Sequence, residues 1–235
     1  MFYSFLKEKF FPLSGIELNE SDRGLHIYVN PRNIDQVKSL QSYEGIFYRV
    51  GERYTAFLLK LFNFLPSDFT GVQSFDFSSH ASSVFSKINN KGLRLAIFGG
   101  TEDEVQVFAR KIELMYPDIN ICAVGHGYKS DQEYLLDVDL REPDVVLLSL
   151  GNIKQERLGV EILRRRAGKI HIFCCGAFVH QEGRAVAGDY YPRLLSHLRL
   201  RFLYRFIKEP HTLKRVIRYY PLFFFKLMRS STENG

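Results

Sequence analysis

The chain has 235 residues, of which 46% are hydrophobic and 25% are charged, an ordinary globular composition. Plentiful Leu, Ile, Val and Phe, with no low-complexity tract, exclude a disordered chain. The formal net charge of +6 is unevenly spread, because residues 190–235 carry ten Lys or Arg against two acids, whereas residues 1–189 carry 22 basic and 24 acidic groups. The basicity therefore belongs to the carboxyl-terminal tail.

The sequence gives no sign of a membrane span, a leader or a metal site. No window approaches the roughly 18 apolar residues of a spanning helix, and residues 1–13 lack the basic start and cleavage site of a signal peptide. The three cysteines and seven histidines show no zinc-ligand spacing. We therefore expect a cytoplasmic protein with no metal and no cofactor.

The middle of the chain alternates short apolar runs with amphipathic segments. Four runs that end at or lead into glycines predict buried strands, at 93–100, 119–124, 144–151 and 170–176. Helices are predicted between them, at 101–115, 130–140 and 155–166. The first two helices begin with capping boxes, Thr101 with Glu104 and Ser130 with Glu133. This alternation predicts a Rossmann-like α/β fold, with a parallel sheet covered by helices on both faces.

The glycines that follow the predicted strands indicate a ligand site. Right-handed crossovers place the carboxyl ends of all the strands at one edge, where ligands bind in open α/β sheets. Five of the glycines expected there are Gly99, Gly100, Gly127, Gly151 and Gly176. Glycine also simply closes strand-to-helix turns, and for each position this alternative stays open.

The first 90 residues have weaker patterns. A strand is predicted at 26–31 and helices at 55–64 and 76–88, with no linker that would separate a domain. We therefore expect one α/β domain over residues 1–190.

Residues 191–235 differ in character and are expected to form a basic amphipathic appendage. An apolar stripe at helical spacing, interleaved with arginines, runs through 192–208, and after Pro210 a second segment follows at 213–229. Such helices suit an anionic membrane surface. They would equally suit packing on the α/β body, and the pattern alone does not decide between the two.

Several motifs carry a family resemblance. The third predicted strand is followed by G-x-x-K-Q-E at 151–156, and the tail contains L-Y-R at 203–205 and E-P at 209–210. Together with Thr70-Gly71, Gly99-Gly100, His126-Gly127-Tyr128 and Gly176-Ala177-Phe178, in that order, the sequence resembles the bacterial WecG/TagA/CpsF glycosyltransferases from about residue 70 to 220.

The resemblance implies an inverting transfer of a hexose or N-acetylhexosamine from a UDP-sugar to a polyprenyl-diphosphate-linked saccharide. The product would serve exopolysaccharide, capsule or cell-wall polymer synthesis. The enzyme would be peripherally attached to the anionic inner face of the cytoplasmic membrane.

The same resemblance implies a set of site residues. Substrate-binding positions would be Asn30, Thr70, Gly71, Gly99, Gly100, Gly127, Tyr128, Gly151, Lys154, Gln155, Glu156, Gly176, Phe178 and Arg218. Gln155 would read a uracil-like base and Lys154 would meet a phosphate at the start of a helix. A solvated first helical turn is the alternative for both residues.

The catalytic residues implied are Glu44, Arg205 and Arg215. Family members carry an Asp-Gly pair whose Asp is the proposed base, and Glu44-Gly45 is the best match here. A carboxylate is needed to take the proton from the acceptor hydroxyl, although Glu44 also suits a solvated loop. The arginines would neutralise the departing UDP without a metal.

Two other functions are compatible with parts of the sequence. An inactive nucleotide-sugar-binding paralogue could serve as the partner subunit of a glycosyltransferase complex. Nucleic-acid binding is disfavoured, because the basic residues are interleaved with Leu and Phe and no nucleic-acid motif is present. The sequence leaves open whether the chain forms a homo-oligomer.

Overall fold

The computed structural model describes residue 18 and residues 23–40, 42–65, 69, 71–72, 74–77, 79–185 and 210–232, without the side chains of 210–212, 215 and 231–232. Six parallel strands form one sheet in the order β2-β1-β6-β5-β3-β4. They are β1 (Arg23–Val29), β2 (Ile46–Val50), β3 (Arg94–Gly99), β4 (Asn120–Gly125), β5 (Val145–Ser149) and β6 (Ile170–Cys174). The helices are α1 (Ile34–Lys38), α2 (Arg53–Leu61), α3 (Ala81–Asn90), α4 (Glu102–Met115), α5 (Asp131–Arg141), α6 (Lys154–Arg165), α7 (Phe178–Gly183) and α8 (Pro210–Thr232).

This architecture confirms the predicted parallel α/β fold. The two capping boxes are formed, with Thr101 accepting from the Glu104 backbone and Ser130 accepting from that of Glu133. One buried apolar cluster covers each face of the sheet, the first including Ile27, Val146 and Ile172 and the second including Ile97 and Leu147. Both faces are therefore shielded from water, which explains why the central strands are continuous apolar runs.

The strand β2 was missing from the sequence prediction. Its sequence, Ile-Phe-Tyr-Arg-Val, has a charged residue inside the run, yet Arg49 is almost completely buried. The Arg49 guanidinium lies 3.2 Å from His26 Nδ1 on the neighbouring strand β1. The helix α1 was also missed, and α3 begins at Ala81 rather than at 76.

Buried histidines lie on the same face of the sheet as Arg49. Burial, with Arg49 nearby, holds the pKa of His26 well below its usual value. Burial likewise lowers the pKa of His80 to about 3, and His80 Nε2 is hydrogen-bonded to the Tyr28 hydroxyl. These imidazoles are therefore neutral in the folded protein at pH 7.

The carboxyl-terminal helix α8 packs against α2. Tyr220 stacks on Tyr54 with ring centroids 4.9 Å apart, and Phe224 meets Phe62 edge-on at 5.6 Å. Phe223 and Leu227 are buried in the first apolar cluster. For this part of the tail, packing on the body is confirmed, whereas the apolar stripe at 192–208 lies outside the described residues.

Pro221 lies inside α8 without ending it. Among the helices that the structure describes, none is both long enough and apolar enough to cross a bilayer.

Candidate active site

The chain connections that follow the neighbouring strands β3 and β5 run in opposite directions along the sheet. The chain leaves β3 through α4 towards β4 on one side and leaves β5 through α6 towards β6 on the other. In open α/β sheets this reversal opens a crevice in which ligands bind. The absence of a side chain at Gly99 allows the two strands to come this close, because a Cβ there would lie 2.5 Å from Ser149 Cβ.

The turn after β4 lies against the turn after β3. The Gly127 N–H donates to the Gly100 carbonyl at 2.8 Å. A Cβ on Gly127 would come within 3.2 Å of that oxygen, so glycine allows the close contact. The next residue, Tyr128, is 77% exposed and presents its ring to solvent beside the crevice.

Lys154 connects this turn to the start of α6. Its Nζ donates to the Lys129 carbonyl at 2.7 Å and lies 3.5 Å from that of Gly127. It also lies 4.9 Å from the centre of the Tyr134 ring. The ammonium group is therefore held at the mouth of the crevice by two backbone carbonyls and an aromatic face.

Gln155 and Glu156 are buried and bonded within the protein. Gln155 Oε1 accepts from the Gly176 N–H at 3.1 Å, and its Nε2 donates to Glu156 Oε1 at 3.3 Å. Glu156 also accepts from Asn33 Nδ2 at 3.0 Å and from the Ile153 N–H at 2.5 Å. Both ends of the Gln155 amide are thus engaged in holding the loop after β6, which disfavours a base-reading role.

Asn30, at the end of β1, is hydrogen-bonded to the G-x-x-K-Q-E loop. Its Oδ1 accepts from Asn152 Nδ2 at 3.1 Å. Gly151 and Gly176 have positive φ angles of +78° and +66°, and a Cβ at either position would meet nothing within 4 Å. The backbone is therefore open on this side and can approach a ligand closely.

The remaining predicted substrate-binding positions differ in their surroundings. Gly71 has a φ of +141° with open space beside it, whereas Phe178 is buried and packs edge-on against Phe75 at 5.1 Å. Arg218 is exposed on α8. Thr70 and Arg205, and the side chain of Arg215, lie outside the described residues.

The structure does not bring Glu44 to this site. Gly45 follows it directly and accepts a hydrogen bond from the Leu25 N–H at 2.8 Å, near the start of β1. Glu44 therefore precedes β2, at the amino edge of the sheet. The five residues of β2 separate it from the carboxyl edge by about 16 Å, so Glu44 lies at the opposite edge of the sheet from the crevice.

The carboxylate that does follow β2 is Glu52, which sequence reasoning missed. It is the N-cap of α2 and is half-buried. Its Oε2 accepts from the Tyr220 hydroxyl at 2.6 Å and from Thr55 Oγ1 at 3.2 Å. Recognition of β2 as a strand would have placed Glu52 at the carboxyl edge.

A second charged cluster was also missed, at the start of α4. Glu104 pairs with Arg184 at 2.7 Å and with His180 at 2.8 Å. Burial alone would raise the pKa of Glu104, but hydrogen bonds from the Thr101 backbone, His180 and Arg184 outweigh it and lower that pKa. The cluster adjoins Gly100, whose Cβ would lie 3.0 Å from Glu104 Oε2.

No group of three His, Cys, Asp or Glu side chains within the described ranges is arranged to hold a metal ion.

Comparison with known proteins identifies the family of the chain. The sequence profile of the glycosyl transferase WecG/TagA/CpsF family matches residues 64–234. The chain is also 29% identical over 220 residues to the UDP-Gal:alpha-D-GlcNAc-diphosphoundecaprenol beta-1,4-galactosyltransferase of Shigella boydii, an alignment that covers 92% of this chain and 89% of that protein. The chain therefore belongs to the WecG/TagA/CpsF family of glycosyl transferases.

Proposed function

We propose that the protein is an inverting glycosyltransferase that moves a sugar from a UDP-sugar to a polyprenyl-diphosphate-linked saccharide. The observation that carries the proposal is the similarity, over nearly the whole chain, to a galactosyltransferase whose name specifies both substrates. The crevice at the carboxyl ends of β3 and β5 suits a nucleotide. UDP-galactose is accordingly the first donor to test, and the wider hexose and N-acetylhexosamine class comes next.

The nucleotide would lie over β3 and β5 with its sugar directed towards β1 and β2. Tyr128 is exposed at the crevice and can stack on the base, while the open backbone at Gly151 and Gly176 allows the diphosphate to approach. Lys154 stands beside the same opening. Asn30 lies between this crevice and Glu52, at the end of β1.

Glu52 replaces Glu44 in our proposal as the catalytic base. It lies at the carboxyl edge, about 14 Å across three strand spacings from β5. That separation is comparable to the length of an extended nucleotide sugar, so the base stands at the sugar end. Its carboxylate would take the proton from the acceptor hydroxyl as that oxygen attacks the anomeric carbon and the bond to UDP breaks.

The charge on the departing UDP would be neutralised by arginines of the tail rather than by a metal. Guanidinium groups bind diphosphate oxygens through paired hydrogen bonds. Arg205, Arg215 and Arg218 are the candidates. Of these, Arg218 is described and is exposed to solvent on α8, the helix that also contacts Glu52 through Tyr220.

Residues 191–235 would additionally hold the enzyme at the anionic inner face of the membrane, where a lipid-linked acceptor is found. This region carries ten Lys or Arg residues and only two acidic residues. Division into a catalytic domain at 1–190 and this appendage remains part of the proposal.

The test is release of UDP from a panel of UDP-sugars in the presence of a lipid-diphosphate-linked GlcNAc acceptor. Turnover with UDP-galactose or another UDP-sugar is the expected result. No turnover with any donor would overturn the proposal, and UDP binding without turnover would favour the inactive partner subunit.

A further inference from the structure

Exposed large apolar side chains concentrate on two adjoining helices. Fourteen such side chains occur among the residues that the structure describes, and eight of them lie on α2 and α8. They are Tyr54, Phe57, Leu61, Leu213, Ile217, Leu222, Phe225 and Met228. Concentration of this kind marks an interaction surface, whereas single exposed apolar residues do not.

The apolar residues follow helical rows that border the contact between the helices. On α2 the row is Tyr54, Phe57 and Leu61, and Tyr54 itself stacks on Tyr220 of α8. On α8, Ile217 lies three residues before Tyr220, and Met228 lies four residues after Phe224, whose ring contacts Phe62 at the end of α2. Residues at these spacings share a helix face, so both rows flank one seam.

Both helices contain basic residues and no acidic residue. The nine residues of α2 include Arg53 and Lys60 and no acid. The 23 residues of α8 include Lys214, Arg215, Arg218, Lys226 and Arg229, again with no acid. Interleaved cations and large apolar side chains suit the surface of an anionic bilayer, where lysine and arginine meet lipid headgroups and the apolar rows enter the interface.

Other exposed apolar residues lie in a different electrostatic setting. Leu136 and Leu140 are as exposed as the α2 pair, at 57% and 70% against 61% for Phe57 and 58% for Leu61. Their helix α5 contains Asp131, Glu133, Asp137 and Asp139, however. Anionic lipid would be repelled there, so this pair provides a matched control.

We infer that α2 and α8 together form one bilayer-docking surface, in which Phe57 and Leu61 of the catalytic body enter the interface beside the tail. The inference deepens the proposed function and rests on its membrane-bound acceptor. Because α2 begins next to Glu52, docking through α2 would hold that carboxylate close to the lipid–water boundary. A lipid-anchored diphosphate sugar would then reach it without leaving the membrane.

The sequence contains no tryptophan, so a tryptophan introduced at one position reports on that position alone. In the full chain, F57W and L136W each introduce a single fluorescent probe. With vesicles of phosphatidylglycerol and phosphatidylcholine, F57W emission is expected to shift to shorter wavelength and to be quenched by brominated lipid, while L136W stays unchanged. If the protein binds the vesicles but the emission of F57W does not shift, the inference is overturned, because the tail alone would then insert. An equal shift at both positions would overturn it as non-specific adsorption.

A second pair of variants measures the contribution to binding. F57S/L61S should lower the vesicle partition coefficient at least tenfold relative to L136S/L140S, with both variants checked for unchanged melting temperature. Equal partitioning of the two would contradict the proposal. Since neither donor nor acceptor is present, the result does not depend on glycosyl transfer and can fail independently of the proposed function.

Discussion

At the scale of single residues, Gly99 is the most tightly constrained position of the crevice. Its φ is +157°, and a Cβ would lie 2.5 Å from Ser149 Cβ and 2.6 Å from the Ser149 carbonyl oxygen. We expect Gly99→Ala to lower the free energy of unfolding by about 2–4 kcal/mol, because backbone atoms of β5 cannot move aside locally.

Urea denaturation measures this loss. Gly168→Ala is the control, since a Cβ there meets nothing within 4 Å, and its effect should stay within about 0.5 kcal/mol. Equal stability of the two variants would show that β3 and β5 separate more readily than the structure indicates.

Glu52 is the residue on which the proposed chemistry depends. Replacing it with Gln keeps the shape and removes the base, so kcat should fall by about 100-fold or more. The equivalent change at Glu44, at the opposite edge of the sheet, should alter kcat by less than about twofold. Steady-state UDP release measures both, and a greater loss in Glu44→Gln than in Glu52→Gln would reverse the assignment.

His80 makes stability depend on pH. Its folded pKa is about 3, well below the unfolded value of 6.5, so the unfolded chain binds a proton that the native protein excludes. This stabilisation is complete above pH 6.5 and declines as the pH falls towards 3. From pH 7 to 5 the loss from this group is about 2 kcal/mol.

Urea denaturation of wild type and His80→Gln at pH 7 and 5 checks this prediction. The wild-type protein should lose about 2 kcal/mol more than the variant over this interval. Identical declines would mean that His80 is protonated in the folded state.

At the scale of secondary-structure elements, apolar runs and capping boxes were enough to find the central strands and helices. The β2 strand was missed because its apolar run contains Arg49, which tertiary packing buries beside His26. Glu44 was chosen because Glu44-Gly45 best matches the family's Asp-Gly pair, and without β2 nothing in the sequence indicated that Glu44 precedes a strand. The bonds of Gln155 and Glu156 were equally beyond sequence reasoning, since their partners Gly176 and Asn33 come from distant parts of the chain.

The contact between α8 and α2 links the tail to the proposed base. Tyr220→Phe removes the hydroxyl that donates to Glu52 at 2.6 Å but leaves the ring stacked on Tyr54. We expect kcat to fall several-fold with little change in the KM for the UDP-sugar. Stability should fall by about 1 kcal/mol.

Tyr54→Phe is the matched control, since it alters the other ring of the same stack. Steady-state kinetics and thermal unfolding of both variants provide the comparison. A several-fold rise in the donor KM of Tyr220→Phe at unchanged kcat would assign Tyr220 to donor binding instead.

At the scale of the whole molecule, the net charge of +6 is the difference between two unlike parts. The slightly acidic α/β body carries the crevice, and in our proposal the basic residues beyond 189 supply the arginines and the membrane-facing surface. Nucleic-acid binding would be the usual inference from a sequence pI of about 9.2. The packing of α8 on α2, which leaves Lys214, Arg218 and both apolar rows exposed, instead favours one surface that brings a lipid-linked acceptor to the edge of the sheet.

The proposed transfer is a single displacement at the anomeric carbon, assisted by one carboxylate. Its most direct test is the anomeric configuration of the transferred sugar, determined by proton NMR on the product formed from an α-linked UDP-sugar and a lipid-diphosphate GlcNAc acceptor. A single displacement gives a β-linked product from the wild-type enzyme, and this is the expected result. An α-linked product would contradict it, because retention requires either a second displacement or attack from the side of the leaving group.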